Sequence, residues 1–399
     1  MSPRSIHAIR LEYAALILLA LLPFAMAVAN RSAAAVITLA GIFALLARIV
    51  DGVHMRNLFT ISPATLAALA FIAWAVLSLG WSHVPATSLF VMSEAGLPFI
   101  GGVLLLACLP RTIPKGIVLT AAIAFAISCI MIIVELQTGM ETRRMVGARD
   151  ETLIFNRSVM TLLLIFWPLA IHMDRLGWRR WAFVFAVLLI VTVITATSGA
   201  SMLGLMLSLP AFLIALKYQR AGFVLASAML AGCLLLAPFK GALLERILPQ
   251  SIVMRLESVH AADRIEIWQD FAAVVRERPL RGAGFGVSAK MADAPFVSDL
   301  PSDRRQLLAV GHPHDGFLQI WAELGLIGAV LAGINGIFLL RAIAHLPKVM
   351  AAAAVASTIA AAAVVCVFHG AWQGWWIGLL MATGVWCSRD VKRPLPQHD

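Results

Sequence analysis

The chain has 399 residues, 61% of them hydrophobic and 13% charged, with a formal net charge of +10. Water-soluble domains carry about 45–50% apolar and about 25% charged residues, so a composition this apolar needs lipid as its solvent. The apolar runs are Ala- and Leu-rich and long enough to cross about 30 Å of hydrocarbon as helix, which sets the fold class as an all-α integral membrane protein and excludes a strand-built one.

In chain order, Arg4 and Arg10 precede an apolar run over 11–29. That run exceeds the roughly 7–15 residues of a signal-peptide core, so it reads as an uncleaved first helix. Further spans are expected near 33–49, 63–80, 95–109, 117–134, 153–171, 181–196, 200–216, 221–239, 316–340, 349–368 and 371–387, about twelve transmembrane helices in all. Every second connection is basic. Arg4 and Arg10, Arg48 and Arg56, Arg111 and Lys115, Arg175, Arg179 and Arg180, Lys217 and Arg220, Arg341 and Lys348, and Arg389, Lys392 and Arg393 all fall on one side. Cationic segments resist translocation, so that side is cytoplasmic and both termini lie there.

Two outer connections are long, 135–157 and 240–315, and the second joins the ninth and tenth spans of a single polytopic domain covering 1–399. It holds ten Lys and Arg and a helical stretch from Ala262 to Arg278, stopped by Pro279. Ile265, Trp268, Ala272 and Val275 share one face of that stretch, as in a helix lying on a membrane surface. A basic face outside the cytoplasm suits anionic lipid or a lipid-linked phosphate and not nucleic acid. Cys108, Cys129, Cys233, Cys366 and Cys387 lie in or beside apolar runs without metal-ligand spacing, and read as packing residues.

The segment GHPHDGFLQIWAELGLIGA, 311–329, runs a His-rich loop straight into a membrane helix. It resembles the signature of the O-antigen ligase family, with His314, Asp315, Gly325 and Gly328 at the matching positions. DRIEIWQDFAAVVRERPLRGAGFG, 263–286, is similar to the stretch that precedes that signature in the O-antigen ligase and polymerase superfamily, and FNRSVM, 155–160, is similar to the start of a middle helix in many relatives. Two departures stand out: Asp315 replaces the usual Asn, Ser or Gln, and TSGAS at 197–201 lacks an Arg beside its Ser.

The resemblance implies a GT-C-like membrane glycosyltransferase in a bacterial inner membrane. It would move a glycan from undecaprenyl diphosphate to a hydroxyl of lipid A-core on the periplasmic face, without cofactor or metal. An attacking hydroxyl must lose a proton and a departing diphosphate needs cations that fork onto its oxygens. His314 is the candidate base, and Arg157 and Arg264 the candidate diphosphate ligands. His312, Asp315, Arg255, Arg149 and Glu323 are candidate substrate contacts; for Glu323, which would lie inside the tenth span, helix packing is an equal reading. Trp372, Trp375 and Trp376 fall where an aromatic belt is expected, with sugar stacking as the alternative. A polymerase of the same superfamily is the rival activity. Transport is disfavoured because the span centres carry almost no charge.

Overall fold

The computed structural model describes residues 4–54, 58, 61–196, 198–249 and 261–391. Its helices are α1 (Ile6–Val28), α2 (Ala33–Val50), α3 (Pro63–Leu77, prolonged by a 3-10 turn to Trp81), α4 (Pro85–Cys108), α5 (Lys115–Gln137), the short α6 (Glu141–Met145), α7 (Asn156–Arg175), α8 (Arg179–Thr195), α9 (Gly199–Lys217), α10 (Gln219–Leu236), α11 (Lys240–Ile247), α12 (Ala261–Glu277), α13 (Gly316–Ala344), α14 (Lys348–Val367) and α15 (Gly374–Ser388). Each expected span is therefore a helix. Ten helical stretches among the described residues are long and apolar enough to cross a membrane. The two expected spans outside that set, α8 and α15, have 17 and 15 residues. For α15 the reason is local: Ala371 and Trp372, which the apolar pattern assigns to the helix, are drawn off to bond Gln319 and Glu323.

Starts follow local chemistry. Ser62 caps α3, accepting from the Thr65 N–H with Pro63 in the first turn, and Asp315 caps α13 by accepting from Phe317 and Leu318 at 2.9 and 3.2 Å. The most buried of the ten spans are α7 and α14. Lipid gives helices no hydrophobic reason to associate, so close packing does the work, and Ala351, Ala352, Ala353, Ala356, Ala360 and Ala363 let α14 lie tightly against α7 and α9.

The long outer connection builds its own small core. In α12, Ile265, Trp268, Ala272 and Val275 are buried, but so are Ile267, Phe271 and Val274 on its other faces. They pack with Val287, Leu300 and Leu308 over Leu318 and Ala322 of α13. The surface-helix expectation is thereby corrected: the apolar face of α12 is covered by protein, because the rest of the connection folds back over it.

One backbone feature fixes this cap to the spans. Gly325 interrupts α13 with φ 65° and ψ −163°. The groups freed by the break find partners elsewhere. The Ala283 and Gly284 N–H groups donate to the Ala322 and Glu323 carbonyls at 2.9 and 2.8 Å, and the Leu326 and Ile327 N–H groups donate to Pro279 and Leu280 at 2.8 and 3.3 Å. Trp74 Nε1 donates to the Leu324 carbonyl at 3.0 Å. A helix opened at membrane depth persists only where such partners exist. A Cβ at Gly325 would lie 2.4 Å from the Leu280 carbonyl carbon, and one at Gly282 would lie 2.3 Å from that of Glu323, so both positions need glycine.

Candidate active site

The N-terminal ends of α7, α13 and α15 and the C-terminal end of α14 meet at one end of the bundle, under α12. The start of α7 is pinned to the end of α1: Ser158 Oγ donates to the Met26 carbonyl at 2.7 Å, and Asn30 Nδ2 to the Ile154 carbonyl at 3.0 Å. This places Arg157 with its guanidinium carbon 5.4 Å from the centroid of the Trp375 ring. From the other side α12 places Arg264 5.3 Å from the Phe368 ring. Among the described residues neither arginine forms an ion pair. An aromatic face orients a guanidinium without consuming its N–H donors.

His314 belongs to the same cluster. Its φ of 51° is unusual for a residue with a side chain, and the turn is held by its own N–H, which donates to His312 Nδ1 at 3.1 Å. The His314 Nδ1 lies 3.2 Å from the Phe368 carbonyl. A carbonyl only accepts, so Nδ1 carries the proton and Nε2 keeps its lone pair. Burial lowers the His314 pKa below the ordinary value, the Phe368 bond opposes that, and Arg264 reinforces it. His314 is therefore a neutral imidazole near pH 7, able to take a proton.

His312 is pushed down to about 4, by burial first and then by His314 and Arg157, which suits its role as hydrogen-bond acceptor. His369, which the sequence reading passes over, completes the group. It lies well below the ordinary value through burial, then Arg157, His312 and His314, and its Nε2 sits 2.9 Å from Met160 Sδ. Its ring packs edge-on against Trp375 at 4.8 Å.

The other candidate contacts divide sharply. Asp315 is wholly buried, capping α13 and paired with Lys240, whose ammonium also donates to the Cys366 carbonyl at 2.5 Å and lies 3.6 Å from the Trp268 ring centroid. Lys240, at the start of α11, is thus a residue the sequence reading missed. Glu323 is also fully buried. It accepts from the Gly286 N–H at 2.5 Å, from Ser288 N–H and Oγ at 3.1 and 2.5 Å, from Gln319 at 2.9 Å and from Trp372 at 2.7 Å. Five donors saturate its two oxygens, so of its two sequence readings the geometry favours packing. Arg149 is exposed, with its carbonyl accepting from Arg143, and no hydrogen bond or ring contact joins it to the histidines. Arg255 lies outside the described residues. The tryptophans are corrected from a lipid-facing belt: Trp375 and Trp376 are each only 2% exposed and form a wall of the site. Among the described residues no three His, Cys, Asp or Glu side chains converge as a metal-binding group would require.

Residues 184–333 match the family model described as O-Antigen ligase. This stretch is similar to the O-antigen ligase family. Arg264, His312, His314 and Gly325 fall inside this O-antigen ligase match, whereas Arg157, Phe368, His369 and Trp375 reach the site from outside it. A Rickettsia felis protein named "Putative polysaccharide ligase" is 23% identical over 328 residues, covering 80% of this chain and 77% of its own. Proteins of the same description from Rickettsia typhi and Rickettsia conorii are 24% identical over 348 residues, 83% of this chain and 80% of theirs, and 32% identical over 129 residues, 32% of this chain and 30% of theirs.

Proposed function

We propose that the chain is a membrane glycosyltransferase that moves a glycan from undecaprenyl diphosphate to a hydroxyl of lipid A-core at the periplasmic face of a bacterial inner membrane, with no divalent metal in the step. The observation that carries this reading is His314, with Nδ1 tied to the Phe368 carbonyl, grouped with two arginines that form no ion pair among the described residues. The acceptor oxygen attacks the anomeric carbon while its proton passes to His314 Nε2. The bond from that carbon to the diphosphate oxygen breaks, and Arg157 and Arg264 take up the charge left on the diphosphate. His312, Asp315, Lys240 and His369 act as positioning residues; Trp375 seats Arg157.

An apolar groove of about 570 Å³ supports a lipid-linked donor. It runs along α14 from Gly316, Ala371 and Trp372 beside the histidines to Leu346 and Ser388 at the far end of the bundle. A polyprenyl tail can lie there with its diphosphate at the site.

Two measurements test the reading. A deletion strain is expected to lose capped lipopolysaccharide and accumulate lipid-linked polymer; a ladder collapsed to single repeats would replace ligase by polymerase. Purified protein given donor and acceptor is expected to transfer glycan in excess EDTA, and activity lost to EDTA but restored by Mg²⁺ or Mn²⁺ would end the arginine-only account of the leaving group.

A further inference from the structure

A second cavity, of about 300 Å³, opens between the α3–α4 connection, the end of α12 and the loop that follows it. None of the histidine-site residues lines it. Its walls include Trp81, His83, Arg278, Arg281 and Phe296, and no carboxylate is among them. The Arg278 guanidinium carbon lies 4.9 Å from the Phe296 ring centroid and that of Arg281 5.7 Å from that of Trp81. Neither arginine makes an ion pair among the described residues. His83 Nε2 lies 2.8 Å from the Lys290 carbonyl, so it donates there and adds no negative charge. The indole N–H of Trp81 is itself buried, out of reach of the cavity, and has no hydrogen-bond partner among the described residues. The cavity thus gathers donors and positive charge with nothing to neutralise them, beside two aromatic side chains, and its volume is near the lower end of the roughly 300–1,000 Å³ of small-molecule sites.

We propose that this cavity binds a phosphate monoester on the sugar head of a membrane glycolipid, holding the acceptor while the donor occupies the histidine site. Paired guanidinium forks match a tetrahedral oxyanion, and Trp81 and Phe296 offer apolar faces to a sugar ring. Trp81 ends the stretch Pro63–Trp81, which is long and apolar enough to span, so the cavity lies at headgroup depth. The choice of acceptor rests on the glycosyltransferase reading above; the anion site itself does not.

The test uses the detergent-purified full chain with lipid A-core, the same glycolipid after phosphatase treatment, and phosphatidylglycerol, each titrated for binding. Wild type is expected to bind the phosphorylated form at least tenfold more tightly than the treated form. Arg278→Gln/Arg281→Gln is expected to erase that difference and to raise the acceptor KM while leaving kcat near wild type. Equal binding of the two forms by wild type overturns the site without need of any variant, as does a double variant that keeps the preference. Equally tight binding of phosphatidylglycerol also overturns it, because the cavity would then take a phospholipid headgroup. Arginine-dependent binding of phosphorylated glycolipid by a protein that transfers no glycan would retain the site and refute the catalytic reading; normal transfer with no phosphate preference would do the reverse.

Discussion

Two sets of arginines, at opposite ends of the bundle, are held in different ways. At the end remote from the histidines, Arg48 donates to the Cys108 carbonyl at 2.6 Å, and Arg389 to the Leu105 and Leu106 carbonyls at 2.9 and 2.7 Å. Arg175 pairs with Asp390 at 2.6 Å, and Arg4 bridges Glu12 and Asp51. Arg48 and Arg389 close the C-terminal end of α4, where carbonyls lack partners and the helix dipole is negative, while Arg4 and Arg175 are neutralised by carboxylates. Next to them β1 (Thr112–Ile113) pairs in parallel with β2 (Asp390–Val391). At the histidine end Arg157 and Arg264 rest on aromatic rings instead, and their donors remain for a ligand. On the proposed function, the difference separates cations that hold the protein together from cations that take up the anion of a substrate.

The largest expected effect tests the histidine end directly. His314→Ala should lower glycan transfer by roughly 10²- to 10⁴-fold at matched protein level, the range for loss of a general base. His314→Gln should fall as far, since an amide hydrogen-bonds without useful basicity; near-normal transfer by it would make His314 a positioning residue only.

The arginine comparison comes next. Arg157→Lys and Arg264→Lys keep the charge but lose the planar fork, and each should reduce turnover by about 10²-fold, as when a preorganised donor to a developing anion is removed. Arg175→Lys at the remote end should leave turnover within about twofold, its ion pair being surface-type. Similar losses at both ends would erase the distinction.

A smaller effect concerns the helix break. Gly325→Ala is expected to cost about 1–3 kcal/mol in thermal unfolding, from its positive φ and the Leu280 backbone. Gly336→Ala in the same helix, where nothing lies within 4 Å, should be neutral or mildly stabilising.

The smallest is the pH response. His314 must be neutral to act, and its pKa is lowered by burial, so transfer should stay flat as pH falls to about 6.5 and decline only below that. His312 has the same sign for stability. Between about 6.5 and about 4 the unfolded chain binds the proton that the folded chain refuses, so its contribution is complete above about 6.5 and is lost as pH falls through about 4. An acid limb starting well above 6.5 would contradict both.

Local patterns revealed a good deal of this. Apolar runs located each of the twelve expected spans, and the sequence singled out His314, Arg157 and Arg264, which the structure brings into one cluster. What escaped was set by contacts between distant positions. Phe368 lies 54 residues beyond the His314 it holds, and Lys240 lies 75 before the Asp315 it pairs with. Trp375 and Trp376 look like a belt because a tryptophan at a helix end carries no mark of whether lipid or protein covers it. The face of α12 was misjudged for the same reason. Glu323 drew attention as an intramembrane carboxylate, but apart from Gln319 its donors come from Gly286, Ser288 and Trp372, which no helical period connects to it.

The Lys240 to Asp315 pair has one more consequence. It ties the first residue of the 240–315 connection to its last, next to His314, so the connection leaves and re-enters the bundle through a single gate. Closing a flexible loop costs only about 0.6 kcal/mol more for each doubling of its length. Insertions or deletions within the connection, away from the gate, from the residues that seat Arg264 and from the 279–288 segment that pairs with α13, should therefore leave the His314 turn in place. A graft of the connection between relatives is best cut at Lys240 and Asp315, where both ends meet.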